Sequence, residues 1–164
     1  MTLRPDLVAC WLYRVRPGGL EILLIRRAPG RIHAGLWQCV TGRLEPGERI
    51  VGAALREVAE ETGLRRVDLE AVFETDIVNF FHEASLDAVM SEAVFAARVR
   101  PEATAVISHE HDGLRWLVPA EAKAAVVWPA YVRAIELVEW LVANPGRAAS
   151  FELGSGPAVA APDR

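Results

Sequence analysis

The stretch Gly42-Arg-Leu-Glu-Pro-Gly-Glu48, followed after seven residues by Arg56-Glu57-Val-Ala-Glu60-Glu61-Thr-Gly63-Leu64, decides how this chain is read. Glu57, Glu60 and Glu61 stand at i, i+3 and i+4, which sets three carboxylates on one side of a helix. Like charges at that spacing weaken an isolated helix. A hard divalent cation relieves the repulsion, because Mg²⁺ and Mn²⁺ take oxygen ligands. Mg²⁺ keeps several waters and binds through a few carboxylates plus substrate phosphates. The segment therefore reads as a metal platform for phosphate chemistry.

The flanking sequence supplies a sheet. Asp6 to Val15 is apolar and β-rich, Pro17-Gly18-Gly19 marks a turn, and Leu20 to Ile25 reads as the paired strand. Trp37 to Thr41 is a short strand feeding Gly42, and Pro46-Gly47 turns the chain into a helix over about Arg49 to Thr62. Gly63 falls where a helix C-cap is expected. Two long β-like stretches follow, about Val67 to Phe81 and Leu86 to Val99, then a short strand from Gly113 to Val118. Pro119 to Ala125 is a helical turn, and Pro129 opens a helix through about Val142. Residues 1–144 are expected to form the domain and 145–164, rich in Gly, Ala, Ser and Pro, a flexible tail. This order implies an α+β chain whose mixed sheet is covered on both faces.

Composition narrows the partners. The 164 residues suffice for one domain with a sizeable core, and 52% hydrophobic content is that of a globular protein. A net charge of −4 without a basic stripe argues against polymeric nucleic acid. No apolar run reaches membrane-spanning length, and the N-terminus lacks a signal-peptide layout. Cys10 and Cys39 lie in apolar strands without metal spacing, which points to reduced, buried thiols in the cytoplasm.

Residues 42 to 64 resemble a Nudix box, G-x5-E-x7-R-E-U-x-E-E-x-G-U with U a bulky aliphatic residue. Gly42, Glu48, Arg56, Glu57, Val58, Glu60, Glu61, Gly63 and Leu64 all stand in place. The resemblance implies the MutT-like Nudix fold, an α/β/α sandwich with the box as loop-helix-loop. It further implies a hydrolase of phosphoanhydrides with Mg²⁺ or Mn²⁺ as cofactor. Glu57, Glu60 and Glu61 are then the metal ligands, helped by the carbonyl of Gly42. Arg56 orients the carboxylates and Glu48 stands behind them. Glu57 or Glu60 is a candidate general base. Glu110, in Ser108-His109-Glu110-His111, is another, because related enzymes carry a Glu in the loop before such a Trp-Leu strand. His109 and His111 read as polar loop residues or as phosphate contacts. Arg26 and Arg27 read equally as phosphate contacts or as the end of an edge strand. Trp37, Phe80, Phe81 and Trp128 could line a base-binding pocket by stacking, with core packing the competing role for each, and Arg27, Trp37 and Phe80 are the substrate-binding candidates.

Gly35-Leu-Trp37-Gln38-Cys-Val-Thr41-Gly42 is also similar to the Trp-Gln-x-Val-Thr-Gly of bacterial dihydroneopterin triphosphate and dATP pyrophosphohydrolases, as is Glu110-His111 before Arg115-Trp116-Leu117. No proline lies between Pro46 and Pro101, so the signature of ADP-ribose hydrolases is missing. The likeness implies a small-molecule (deoxy)nucleoside or pterin triphosphate cut to monophosphate and pyrophosphate. Hydrolysis of dinucleoside polyphosphates or nucleotide sugars, a noncatalytic nucleotide-sensing module and an isomerase are the alternatives. Whether the chain forms a homodimer is left open.

Overall fold

The computed structural model describes residues 3–154. The strands are β1 (Leu7–Arg16), β2 (Gly19–Arg27), β3 (Trp37–Gln38), β4 (Val40–Arg43), β5 (Leu69–Glu83), β6 (Ala88–Val99) and β7 (His111–Leu117). The helices are α1 (Ile50–Thr62), α2 (Pro119–Ala125), α3 (Pro129–Ala143) and the short α4 (Pro145–Ala148). Single 3₁₀ turns follow α1 and α4.

The sheet is mixed because β1 runs parallel to β6 and antiparallel to β2 and β4. One edge of β1 serves two partners. Leu7 to Cys10 pair with β4, and Tyr13 to Arg16 pair with β2. The sheet therefore forks, and β2 pairs with β3 along the same edge as β1 and with β7 along its other edge. Beyond β6 lies β5, in the order β3-β2-β1-β6-β5.

β1 is apolar on both faces, as a strand covered by helices on both sides must be. Val8, Cys10 and Leu12 pack toward α1, against Ala53, Ala54 and Val58. Ala9, Trp11 and Tyr13 pack toward α3, against Ile135, Val138 and Leu141. The sandwich is thus two cores separated by one sheet. Prolines open α2 and α3 at positions whose N–H needs no intrahelical partner. Gly63 ends α1 at φ 68°, its N–H donating to the Ala59 carbonyl.

Several boundaries differ from the sequence reading. β5 runs two residues further toward the hairpin turn, to Glu83, because His82 and Glu83 pair with Val89 and Ala88, while β6 begins two residues later, at Ala88, and β7 two residues earlier, at His111. The expected flexible tail does not begin at 145: Ala148 is buried, and the Leu153 N–H donates to the Val72 carbonyl at 2.8 Å. Small and apolar residues there complete the α3 side, where Phe151 meets the Trp140 ring edge-on. Residues 155–164 of that expected tail lie outside the described residues.

Ile135 is fully buried beneath the sheet. Ile135→Ala should lower unfolding free energy by about 2–5 kcal/mol in urea titrations, through lost transfer energy and the cavity left behind. Val127→Ala, at an exposed position, should stay within about 0.5 kcal/mol of the parent.

Candidate active site

The site lies at the fork of the sheet, where β4 parts from β2. α1 crosses this point so closely that a Cβ on Gly42 would lie 1.9 Å from Cδ and Oε1 of Glu57. Glycine at 42 is what lets the Glu57 carboxylate rest on the β4 backbone. One turn on, Glu61 is buried, and its Oε2 accepts from the Thr41 N–H at 3.3 Å.

Arg56 organises the rim. Its guanidinium grips Glu48 with two bonds, Nε to Oε1 at 2.9 Å and Nη2 to Oε2 at 3.1 Å. Nη1 reaches Glu57 Oε1 at 2.8 Å and Glu60 Oε2 at 3.2 Å, and Nη2 also donates to the Arg43 carbonyl. This bonding to Arg56 holds the Glu48 carboxyl below its usual range. It only partly offsets the burial that raises Glu57, and the charges of Glu60 and Glu110 push Glu57 the same way as burial.

The loop after β6 closes the far side. Val106 and Ser108 donate their N–H groups to the Thr62 and Glu61 carbonyls, satisfying the end of α1. That anchoring brings Glu110 to the site. Arg31 Nη1 stands 3.3 Å from Glu110 Oε1, and Arg27 Nη1 stands 3.8 Å from Oε2. His111 opens β7 opposite Arg27 and is buried, with neither ring nitrogen hydrogen-bonded among the described residues.

Burial, joined by the charges of Glu57 and Glu110, pushes the Glu61 carboxyl up to about 8. Burial, joined by the Arg27 charge, pushes His111 down to about 4. The His111 Nε2 is 3.8 Å from Glu61 Oε1, beyond hydrogen-bond reach, and a neutral imidazole brings no counter-charge. Two carboxylates are thus pressed together in a partly dry site with too little positive charge to balance them. A hard cation suits that donor set. As the side chains stand, no three His, Cys, Asp or Glu groups among the described residues form a metal-holding set. Arg56 draws Glu57 and Glu60 toward itself instead.

Gly42, Glu48, Arg56, Glu57, Glu60, Glu61, Glu110 and Arg27 therefore converge, and Trp37 and Phe80 do not join them. Trp37 lies on β3 at one edge of the sheet, its ring faced by the guanidinium groups of Arg115 and Arg26 and backed by Gly113. Phe80 lies on β5 at the other edge, exposed to solvent. Arg31 escaped the sequence reading because nothing in its loop is periodic. His111 was weighed as a loop residue, and only its pairing across β2 shows it to be a buried strand residue.

The NUDIX domain family model matches residues 4–141, so the chain belongs to the Nudix family. It is 30% identical to the CTP pyrophosphohydrolase of Escherichia coli over 71% of this chain and 80% of that protein. The E. coli dihydroneopterin triphosphate pyrophosphohydrolase superposes with a TM-score of 0.69 at 26% identity, covering 81% of this chain and 93% of the other. A match at 43% identity to the octanoyltransferase of Myxococcus xanthus covers 59% of this chain and only 26% of that longer protein.

The buried pair gives the metal-free protein a pH signature. Glu61 binds its proton more tightly folded than unfolded, where its value is 4.5. Its stabilising contribution is complete below about 4.5 and is lost as pH rises through about 8. His111 acts oppositely, contributing above 6.5 and losing that contribution as pH falls through about 4. Between 6.5 and 8 the Glu61 effect stands without its opponent. In EDTA, stability should fall across this window by up to about 1.4 kcal/mol per pH unit. Glu61→Gln should flatten the decline in denaturant titrations, and an unchanged slope would assign it to other groups.

Proposed function

We propose that this protein is a divalent-metal-dependent Nudix hydrolase that cleaves a (deoxy)nucleoside or pterin triphosphate to monophosphate and pyrophosphate. The observation that carries the reading is one of charge. Glu57 and Glu61 face inward on α1 with the exposed Glu60 at the rim, while Arg27 and Arg31 approach Glu110 from β2 and the loop beyond it. Carboxylates for a cation and guanidinium groups for phosphate oxygens are what a triphosphate-binding site requires. The relatives with broad coverage add support, since two are named as pyrophosphohydrolases of triphosphates.

Glu57, Glu60, Glu61 and the Gly42 carbonyl would hold the cation. When bound, Mg²⁺ or Mn²⁺ supplies charge neutralisation and an activated water. Arg56 acts through the carboxylates: by gripping Glu48 it fixes where Glu57 and Glu60 point. Arg27 and Arg31 exchange their contacts with Glu110 for phosphate oxygens, which frees the Glu110 carboxylate to take a proton from the attacking water. Phosphoryl transfer needs little covalent help from protein, so positioning and charge carry most of the rate. Glu57 or Glu60 takes the base role if Glu110 does not. The substrate is a small molecule. The free, buried thiols of Cys10 and Cys39 suit a reducing cytoplasm. No helix among the described residues is long and apolar enough to cross a membrane.

A panel of nucleoside and pterin triphosphates with Mg²⁺ or Mn²⁺ tests the reading. Pyrophosphate should be the first product, and orthophosphate appearing first would overturn the proposed cleavage. Glu60→Gln and Glu61→Gln should each abolish most turnover while the metal-free melting temperature holds or rises, because the first removes a like charge and the second a buried acid that is costly to ionise. Near-parental rates at saturating Mg²⁺ in either variant would refute its assignment as a ligand.

Glu110→Gln should lower kcat by about 10²–10⁴-fold with metal affinity little changed. An unaltered kcat and pH–rate profile would return the base role to Glu57 or Glu60.

A further inference from the structure

The hairpin of β5 and β6 carries a buried acid that the phosphate site does not use. Asn79 pairs with Glu92 across the two strands, and Phe81 pairs with Met90. Alternation places all four on one face, shared with Val94 and Ala96 of the core beneath α3. Phe80 points to the opposite face, so the aromatic residue on the pocket side of this hairpin is Phe81.

Glu92 is only 5% exposed. Among the described residues its single hydrogen-bond partner is Asn79, whose Nδ2 donates to Oε2 at 2.9 Å. Burial raises its carboxyl, and no cation opposes the shift. An ionised carboxylate offers about four acceptor positions, and one amide N–H fills one of them. A glutamine or leucine would hold the hairpin at lower cost, since burying a carboxylate without a cation to balance it is unfavourable.

Aromatic side chains lie on the same side of the sheet. The Glu92 charge reaches Cys39 and Tyr131, adding to the burial that raises both groups. Tyr131 meets Trp128 edge-on at 5.1 Å, and Trp128 meets His33 at 5.3 Å. His33 in turn stands near Glu83 at the end of β5, where its charge adds to the larger effect of Ser85 in lowering that carboxyl. The Glu61 charge, from the phosphate site, also adds to the burial that raises Cys39 and Tyr131.

We propose that Glu92, positioned by Asn79, reads the heterocycle of the substrate by accepting two adjacent N–H donors, and so selects a 2-amino-4-oxo ring of the guanine or pterin type. This rests on the triphosphate reading above. Two carboxylate oxygens side by side match a ring N–H next to an exocyclic amine. Adenine and cytosine place an acceptor beside their amine, and uracil sets its N–H between two acceptors, so each would leave the buried acid unpaired or repelled.

The test is binding of guanosine, adenosine and cytidine monophosphates in EDTA, followed by Trp fluorescence or calorimetry, with no turnover involved. The parent should prefer guanosine monophosphate by about tenfold to a hundredfold. Glu92→Gln should remove most of that preference, leave the other two affinities nearly unchanged, and match or exceed the parent melting temperature. Glu92→Asp, which keeps the carboxylate, should retain part of the preference and serves if the glutamine variant fails to fold. No preference in the parent, or an equal loss for all three nucleotides, would overturn the proposal. Failure of the triphosphate reading shows differently: preference dependent on Glu92 would persist while no pyrophosphate is released from guanosine triphosphate with Mg²⁺.

Discussion

The constraint on which this structure rests is the close approach of α1 to β4. Gly42 has no side chain, and the Glu57 carboxylate occupies the space where one would be. A side chain there would displace the Glu57 carboxylate from the strand. Val58, Ala53 and Ala54 reach the sheet from the same helix, so the approach that seats the acid also closes one of the two cores. Packing and charge placement are therefore one event on α1. The apolar stripe decides how far the helix descends, and the acidic stripe is carried to the fork with it.

That arrangement is tolerated because Arg56 spreads its donors over Glu48, Glu57 and Glu60. Ion pairs still partly open to solvent, like these, contribute little to stability one by one. Their value here is geometric, since five donors in a rigid fork fix the directions of three carboxylates at once. Glu61 lies outside that reach, and among the described residues its hydrogen-bond donor is the Thr41 N–H. The helix thus carries one set of acids restrained by an arginine and one buried acid left short of positive charge. Such opposed environments on neighbouring residues are characteristic of functional sites.

The two faces of the sheet divide the labour. The α1 side gathers acids and the guanidinium groups of β2 and its loop, all suited to phosphate and cation. The α3 side offers aromatic rings and one lone acid, suited to a planar heterocycle. The fork in β1 pairing is where the two meet, because β4 peels away from β2 and lets Glu61 influence groups on both sides.

The sequence by itself determined the box, its helix, the mixed sheet and the sandwich. These depend on short-range spacing: i, i+3, i+4 acids, glycines at a close approach and a helix end, and apolar runs of strand length. Only the tertiary structure decided which strands flank the helix and therefore what faces it. Arg31 and His111 reach Glu110 and Glu61 through pairings between β2, β7 and the loop after β6, and no local pattern encodes those. Phe80 and Phe81 show the limit most plainly. Ile77 to His82 is apolar at both parities, so alternation alone leaves the inward face undecided. The register of Phe81 with Met90 and of Asn79 with Glu92 decides it, because a strand has only two faces and long-range pairing selects between them.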